Sequence, residues 1–350
     1  MEFKYLQEND IGTPEYLAFY KAFHNDDSFH ARIERIHWYF QSEGYMLLVA
    51  SVDGKYAGQA SAYKTKAIIN GQEKEWWWGA DTFVLPGMRG KGIGKALQKK
   101  LHEDCPNFSS ASYSATNGII KRKCGDYEVM GYHRYFCPVS CFFSIYLELV
   151  LKKIFGRKTK VPRIRLPYWY GFINGFKSKT DYQVRELTPI DFNEDLSSFI
   201  ENSLSVYDFH IQRSVDYLKW KYLNNPTVKC IGLDVLKTGQ REAVVFFTDV
   251  RNGGFALAKA RVCKVLDSVI KPGSKLTQKS LLSFIVKYFK DRGEKVDGIN
   301  TLVPSSYWPK IQYPTSKPSY MLSGKEIPKL QNGYLAYSDQ DMEQMYGNNE

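Results

Sequence analysis

Several patterns are missing from this chain, and each omission narrows its chemistry. The six cysteines (Cys105, Cys124, Cys137, Cys141, Cys230 and Cys263) form no Cys-x-x-Cys pair. That argues against both a disulfide framework and a metal site, so no metal is expected. No apolar run is long enough to span a bilayer; the longest, Cys141 to Phe155, is interrupted by Glu148, Lys152 and Lys153. The first residues, Met-Glu-Phe-Lys-Tyr-Leu-Gln-Glu, lack the basic-then-apolar order of a signal peptide. A cytoplasmic protein without stable membrane insertion is therefore expected. No nucleic-acid recognition motif is present, and the net charge of +11 is spread along the chain. Nucleic acid is accordingly not expected as a partner, whereas a small polyanion suits the basic balance. The densest basic cluster, Lys152 to Arg165, reads as a solvated joint or as a surface for a diphosphate or an anionic membrane.

What is present is concentrated in residues 81–94, Asp-Thr-Phe-Val-Leu-Pro-Gly-Met-Arg-Gly-Lys-Gly-Ile-Gly. An apolar strand pattern from about Trp76 to Leu85 stops at Pro86. An amphipathic helix then begins, with Ile93, Ala96, Leu97 and Leu101 on one face. Glycines at the helix start let a ligand approach the backbone, and the first amides of a helix attract anions. Arg89, Lys91 and Lys95 add positive charge. The spacing is not that of a Walker loop, since Gly94-Lys95 precedes Ala96, nor that of a Gly-x-Gly-x-x-Gly dinucleotide loop.

The run resembles the acyl-CoA signature of the GNAT N-acyltransferase superfamily, Gln/Arg-x-x-Gly-x-Gly/Ala, here Arg89, Gly92 and Gly94. The resemblance implies that amides of Arg89, Gly90, Lys91, Gly92, Ile93, Gly94 and Lys95 hold the CoA pyrophosphate. It implies that the strand edge Phe83, Val84 and Leu85 pairs with the pantetheine arm, and that an amide near Leu85 stabilises the thioester oxyanion. Tyr127-Glu-Val-Met-Gly131-Tyr132 resembles the family's later Tyr-x-x-x-Gly-Phe, at the end of a helix. Tyr127 is then the general-acid candidate, and Asn117 the counterpart of the family's helix-start asparagine. For a general base the candidates are Asp81 and His133, with Glu75 behind them; His24, His30, His37, His102 and His210 rank lower.

The chain also repeats itself. Asp81-Thr-Phe-Val-Leu-Pro-Gly87 returns as Asp267-Ser-Val-Ile-Lys-Pro-Gly273, and His37-Trp-Tyr-Phe40 as Lys219-Trp-Lys-Tyr222. The turns Asp53-Gly54 and Thr238-Gly239 match, as do Leu6–Asp10 and Arg185–Asp191. The expected fold class is α/β (α+β): two tandem GNAT-like domains, each a central mixed sheet flanked by helices, the second degenerate. The expected boundaries are 1–150, a basic and aromatic linker 151–181, and 182–350. In the second copy Arg89, Gly90, Gly92 and Gly94 become Lys275, Leu276, Gln278 and Ser280, so the second copy is read as a substrate-binding or dimerising domain, with a homodimer as one expected state. Asp81, retained as Asp267, reads more as a brace of the turn than as a base.

The second half, with Tyr217–Pro226 and Tyr337–Met342, resembles tandem GNAT proteins of bacterial surface-polysaccharide and O-antigen lipopolysaccharide biosynthesis. That resemblance implies an acetyl or hydroxyacyl transfer from acyl-CoA to a nucleotide-linked amino sugar, for example a dTDP-3-amino-3,6-dideoxyhexose. The aromatic segments Tyr168-Trp-Tyr170 and Tyr307-Trp-Pro309 suit stacking on such a ligand as well as plain packing. A protein-lysine or small-amine acetyltransferase and a non-catalytic acyl-CoA sensor or scaffold remain as alternatives. One CoA per chain is expected, so calorimetry giving a stoichiometry of two contradicts the assignment of a degenerate second copy.

Overall fold

The chain was analysed as a computed structural model. It describes residues 1–24, 29–111, 115–125, 127–129, 132–139, 144, 147, 150–151, 154, 181–252, 260–304, 313–316, 320–322, 332–336 and 339. The basic cluster from Lys152 to Arg165, and the segments 168–170 and 307–309, lie outside the described residues, as does nearly all of 151–181.

The strands in chain order are β1 (Glu2–Leu6), β2 (Tyr45–Val52), β3 (Lys55–Ile69), β4 (Gln72–Val84), β5 (Phe108–Ala111), β6 (Tyr127–Val129), β7 (Tyr132–Pro138) and β8 (Gln183–Glu186). They continue as β9 (Phe209–Ile211), β10 (Cys230–Lys237), β11 (Gln240–Thr248), β12 (Arg251–Asn252), β13 (Arg261–Ile270), β14 (Gly298–Pro304), β15 (Tyr313–Ser316) and β16 (Tyr320–Leu322). One sheet has the order β1-β2-β3-β4-β5-β16-β6, with β9 added to β3. The other has the order β15-β7-β14-β13-β11-β10-β8, with β12 added to β13. The described residues thus form a mixed α/β fold with two helix-flanked sheets.

Two compact units result. One contains Met1–Tyr132, Leu204–Thr227 and Pro318–Met342; the other contains His133–Ser203, Val228–Lys317 and Glu343–Glu350. Each unit draws on non-contiguous stretches of the chain. Strand β9 pairs with the end of β3 through Ile68↔His210, and β16 with β5 through Met321↔Ser110. In exchange, β7 joins the second sheet through Phe136↔Tyr313. Hydrophobic period reports which face of a strand is buried but not which free edge completes it.

Repetition at the level of structure is close. In the first unit, helix α1 (Pro14–Phe23) starts at Thr13, whose Oγ1 accepts from the Tyr16 amide, with Pro14 in the first turn. Just before it, Asp10 Oδ2 accepts from the Gln7 amide at 2.7 Å and Asp10 pairs with Lys4. In the second unit, Asp191 Oδ2 accepts from the Thr188 amide at 2.8 Å and Asp191 pairs with Arg185. The hairpin turns Asp53-Gly54 and Thr238-Gly239 both adopt positive φ at both residues, as tight hairpins require.

Helix α2 (Phe29–Phe40) carries Trp38. The Trp38 indole stacks on that of Trp220 with ring centres 4.6 Å apart. Each indole N–H donates to the other residue's carbonyl at 3.1 Å. These are the two tryptophans matched in the sequence repeat, and both belong to the first unit. The same unit buries Arg213 and Asp339 completely, 2.7 Å apart. Asp339 Oδ2 also accepts from the Ala336 amide, and the Asp339 carbonyl accepts from Tyr63. Removing one partner of such a pair strands a buried charge, at a cost of about 3–5 kcal/mol. Arg213→Met and Asp339→Asn are each expected to lose that much in urea unfolding, and Arg213→Met/Asp339→Leu markedly less than their sum.

Candidate active site

The site is built by an irregularity in β4. Opposite Gln59 stands Phe83, but opposite Ser61 stands Ala80, so Asp81 and Thr82 together face Ala60. This is a β-bulge, and Asp81 takes φ of 33°, in the left-handed region. The second unit repeats the device: Phe246 pairs with Asp267 and Phe247 with Val265, leaving Leu266 as the extra residue. Among the described residues, β4 pairs with its parallel neighbour β5 through Trp77↔Phe108 and Trp78↔Ser109, ahead of the bulge. At that last contact a Cβ on Gly79 would sit 2.7 Å from Phe108 Cζ, so glycine is required for the approach. On its other edge β5 pairs with β16 through Ser109, Ser110 and Ala111.

Register fixes which groups line the edge of β4. The Leu85 amide donates to the Ala57 carbonyl at 2.9 Å. Leu85 is therefore committed to β3, and the oxyanion donor expected near Leu85 is not Leu85 itself. In an antiparallel pair alternate residues point their amides to opposite sides, so the Val84 amide faces away from β3. The Val84 carbonyl accepts from Arg89 Nε at 3.3 Å, which places Arg89 beside the strand edge. Phe83 is buried against Phe23, ring centres 4.1 Å apart.

The loop ahead of helix α3 (Ile93–Asp104) has the geometry the sequence suggested. Gly90 and Gly92 have φ of 82° and 79°, which side-chain-bearing residues rarely adopt. Gly92 is the N-cap, and no side chain caps the helix. A Cβ on Gly90 or Gly92 would meet nothing within 4 Å, so the loop faces open space. Lys91 and Lys95 are exposed there, while Ile93 is buried in the core. The matching helix of the second unit, Gln278–Asp291, closes its own end. Thr277 Oγ1 accepts from the Ser280 amide at 3.2 Å, and the Thr277 amide donates to Ser280 Oγ. Leu276 is buried in the core there. The amides open in one copy are occupied in the other.

Two polar clusters flank this end of β4. On the α3 side, Gln98 donates to Thr82 Oγ1 at 3.3 Å and accepts from Lys121 Nζ at 3.1 Å. Lys121 belongs to helix α4 (Ala115–Lys123), is buried, and lies 4.9 Å above the Phe108 ring. On the α1 side, Asp81 accepts from the Tyr20 hydroxyl at 2.6 Å and from Gln59 Nε2 at 3.2 Å, and faces His24 Nε2 at 3.7 Å. Tyr16 donates to Gln59 Oε1, which fixes the orientation of that amide. Burial alone would push the Asp81 carboxyl up, but the facing His24, the Arg35 charge and the Tyr20 hydroxyl hold it below the ordinary carboxylate range. Burial and the adjacent carboxylate push Tyr20 well up, so its phenol stays protonated and donates.

The remaining expected site residues divide as follows. Tyr127 lies on β6, paired with Leu322 of β16, and not at a helix end. Helix α4 stops at Lys123 and the chain turns at Gly125, φ 96°. His133 lies on β7 in the second sheet. Asn117 is in α4, and its side chain, like those of Tyr127 and His133, lies outside the described residues. Glu75 is tied to Lys64 at 2.8 Å. Sequence reasoning missed Tyr20, Gln59 and the pairing of His24 with Asp81. These residues meet only through the fold, although Tyr20 and His24 share an i, i+4 spacing.

Residues 13–117 match the sequence profile described as the acetyltransferase (GNAT) family. No curated protein matches the chain. Among solved structures, a probable N-acyltransferase from Enterococcus faecalis is 12% identical, with a TM-score of 0.61, covering 94% of this chain and 73% of its own. N-myristoyltransferase of Saccharomyces cerevisiae with bound myristoyl-CoA is 12% identical, with a TM-score of 0.54 and coverage of 94% and 86%. A tandem GNAT protein from the clavulanic acid biosynthesis pathway is 12% identical, with a TM-score of 0.53 and coverage of 92% and 98%. The fold is thus shared with tandem GNAT proteins, and the match to the GNAT acetyltransferase family is confined to residues 13–117. Among the described residues, no helix is long and apolar enough to cross a membrane.

Placing a branched side chain at a φ near 79° strains the loop and covers its amides. Gly92→Val is expected to weaken CoA binding at least 10-fold by calorimetry, at a stability cost of about 1–2 kcal/mol. Unchanged affinity in a folded Gly92→Val contradicts the cradle.

Proposed function

We propose that the chain transfers an acetyl or hydroxyacyl group from acyl-CoA to the amino group of a nucleotide-linked amino sugar, such as a dTDP-3-amino-3,6-dideoxyhexose. The observation that carries the CoA half is the contrast between the two helix starts. One is uncapped, glycine-built and flanked by Arg89, Lys91 and Lys95; the other is sealed by Thr277 and Ser280. The uncapped N-terminus of α3 holds the pyrophosphate with backbone amides and the positive end of the helix. The edge of β4 at Val84, whose amide faces away from β3, runs beside the pantetheine arm. Arg89, held against Val84, stands between strand edge and phosphates.

In this reading the amine attacks the thioester carbonyl directly. The outward-facing Val84 amide donates to the developing oxyanion, in place of Leu85. Asp81 braces the bulge as an ionised carboxylate, since a group held low by its donors is a weak base. Tyr127 remains the proposed acid for the departing sulfur; His133 and Asn117 stay candidates on sequence alone. The net charge of +11 supports a nucleotide diphosphate as the acceptor's handle and disfavours a polycationic amine.

Free-thiol release from acetyl-CoA, measured over a panel of nucleotide-linked amino sugars, a lysine peptide and spermidine, tests this proposal. Turnover confined to the nucleotide sugars is expected. Turnover with the lysine peptide alone overturns the acceptor, and CoA binding without turnover of any amine overturns the enzyme reading.

A further inference from the structure

Among the described residues of the first unit, three buried polar side-chain atoms have no hydrogen-bond partner: His24 Nε2, Trp78 Nε1 and Ser110 Oγ. Trp78 and Ser110 stand at the β4–β5 pairing, and His24 caps the C-terminus of α1. Of the three, His24 alone carries an imidazole, whose two ring nitrogens can hold a proton on one and accept one on the other. Its side chain is one-tenth exposed and Asp81's slightly less. Aromatic rings hold the imidazole on three sides. Its centre is 4.6 Å from the Tyr20 ring, 4.7 Å from Phe23 and 5.2 Å from Phe83. Phe83 precedes Val84, the residue whose amide faces away from β3.

We propose that His24 is the group that takes the proton from the attacking amine, and that Asp81 positions it. The inference rests on the acyl-transfer reading above and adds the base that reading lacks. Nε2 faces Asp81 Oδ1, so the ionised carboxylate favours the tautomer with its proton on Nε2. The lone pair is then on Nδ1, turned away from Asp81. The amine nitrogen forms its bond to the thioester carbon. The C–S bond breaks, and its electron pair leaves on sulfur. One amine proton passes to Nδ1 and then to solvent, and the thiolate takes a proton from Tyr127, which solvent reprotonates, so atoms and charge balance. The imidazolium formed in the step gains the Asp81 charge beside it.

Each element packed on this pair contributes a defined group. Helix α1 supplies the Tyr20 phenol, which donates to Asp81, and Phe23. Helix α2 supplies Arg35, buried and cationic, whose charge acts on Asp81. Strand β3 supplies Gln59, and β4 supplies Asp81 and Phe83. Among the described residues packed on this pair, Asp81 is the carboxylate that faces His24. The second unit offers a contrast. Asp267 stands next to Leu266, the extra residue of the equivalent bulge, and its Oδ1 accepts from the neighbouring Ser268 amide. The helix that corresponds to α1, Glu194–Leu204, is followed by Ser205 instead of a histidine. The carboxylate is common to both bulges; the histidine belongs only to the copy with an open helix start.

Two measurements on the full-length chain test the pair. In the first, acetyl-CoA and a nucleotide-linked amino sugar are turned over across pH 5.5–9 by wild type, His24→Gln and Asp81→Asn. For His24→Gln, kcat is expected to fall about 10²-fold or more, the contribution usual for a general base. Its KM for acetyl-CoA and its CoA affinity should stay as in wild type, and the rising limb of kcat with pH should vanish. Asp81→Asn should lower kcat by about 10-fold or more and displace that limb toward lower pH, since the imidazolium loses its carboxylate. The second measurement is ¹⁵N imidazole NMR of wild type, where His24 should show the Nε2–H tautomer. An Nδ1–H tautomer, or wild-type kcat and pH profile in His24→Gln, overturns the proposal. If wild type releases no thiol with any amine, the acyl-transfer reading falls instead, and the tautomer alone decides the His24–Asp81 pairing.

Discussion

One register slip, two residues of β4 opposite one of β3, is the constraint from which the candidate site follows. A bulge increases local twist and resets which residues of the strand face each side. After it the Leu85 amide is bonded to β3 and the Val84 amide faces away from β3. An unpaired buried strand edge is costly unless something hydrogen-bonds to it. A pantetheine arm, with its own amides, is chemically suited to that edge. The slip also puts Asp81 in a left-handed conformation, which costs of order 1–3 kcal/mol for a residue with a side chain. Tyr20, Gln59, the facing His24 and the Arg35 charge hold the carboxylate there, so the strain is maintained by a network that reaches α1, α2 and β3.

The second copy keeps the slip but closes what the slip would serve. Its bulge at Leu266 is present, and its strands β13 and β14 also pair over only three residue pairs. Its helix, however, satisfies its first amides with Thr277 and Ser280, and Leu276 sits in the core. A reciprocal cap satisfies two orphan donors at once, which stabilises a helix by about 1 kcal/mol. The first copy forgoes that stabilisation at Gly92. A stable helix start and an anion-binding one draw on the same N–H groups, so the two copies represent opposite uses of one structural element.

The parts of the site that lie within one local pattern were legible in the sequence. Glycines at positive φ, a strand ending in proline and an amphipathic helix are read from short windows, and Gly90, Gly92 and α3 stand where those patterns put them. The repeat was legible because cores constrain period and turns constrain residue type. Three features were not. The exchange of β7, β9 and β16 between the sheets depends on which edges are free. The commitment of the Leu85 amide depends on register after the bulge, and the bulge leaves no mark in residue type. The His24–Asp81 pairing spans helix and strand, and α1 reads in sequence as an ordinary amphipathic helix whose polar end faces water.

Asp81 shows how these levels interact. Retention in both copies favoured a brace, and position on β4 favoured a base. Geometry assigns it work that includes part of each. A carboxylate with two strong donors and a cation nearby is held ionised, and a group so held accepts a proton only at low pH. The same stabilised charge is what makes an adjacent imidazole a better proton acceptor, because the product of that transfer is a cation. Bracing the bulge and supporting the transfer are then one electrostatic property seen from two neighbours. In the second copy the carboxylate turns to a backbone amide, and only the bracing remains.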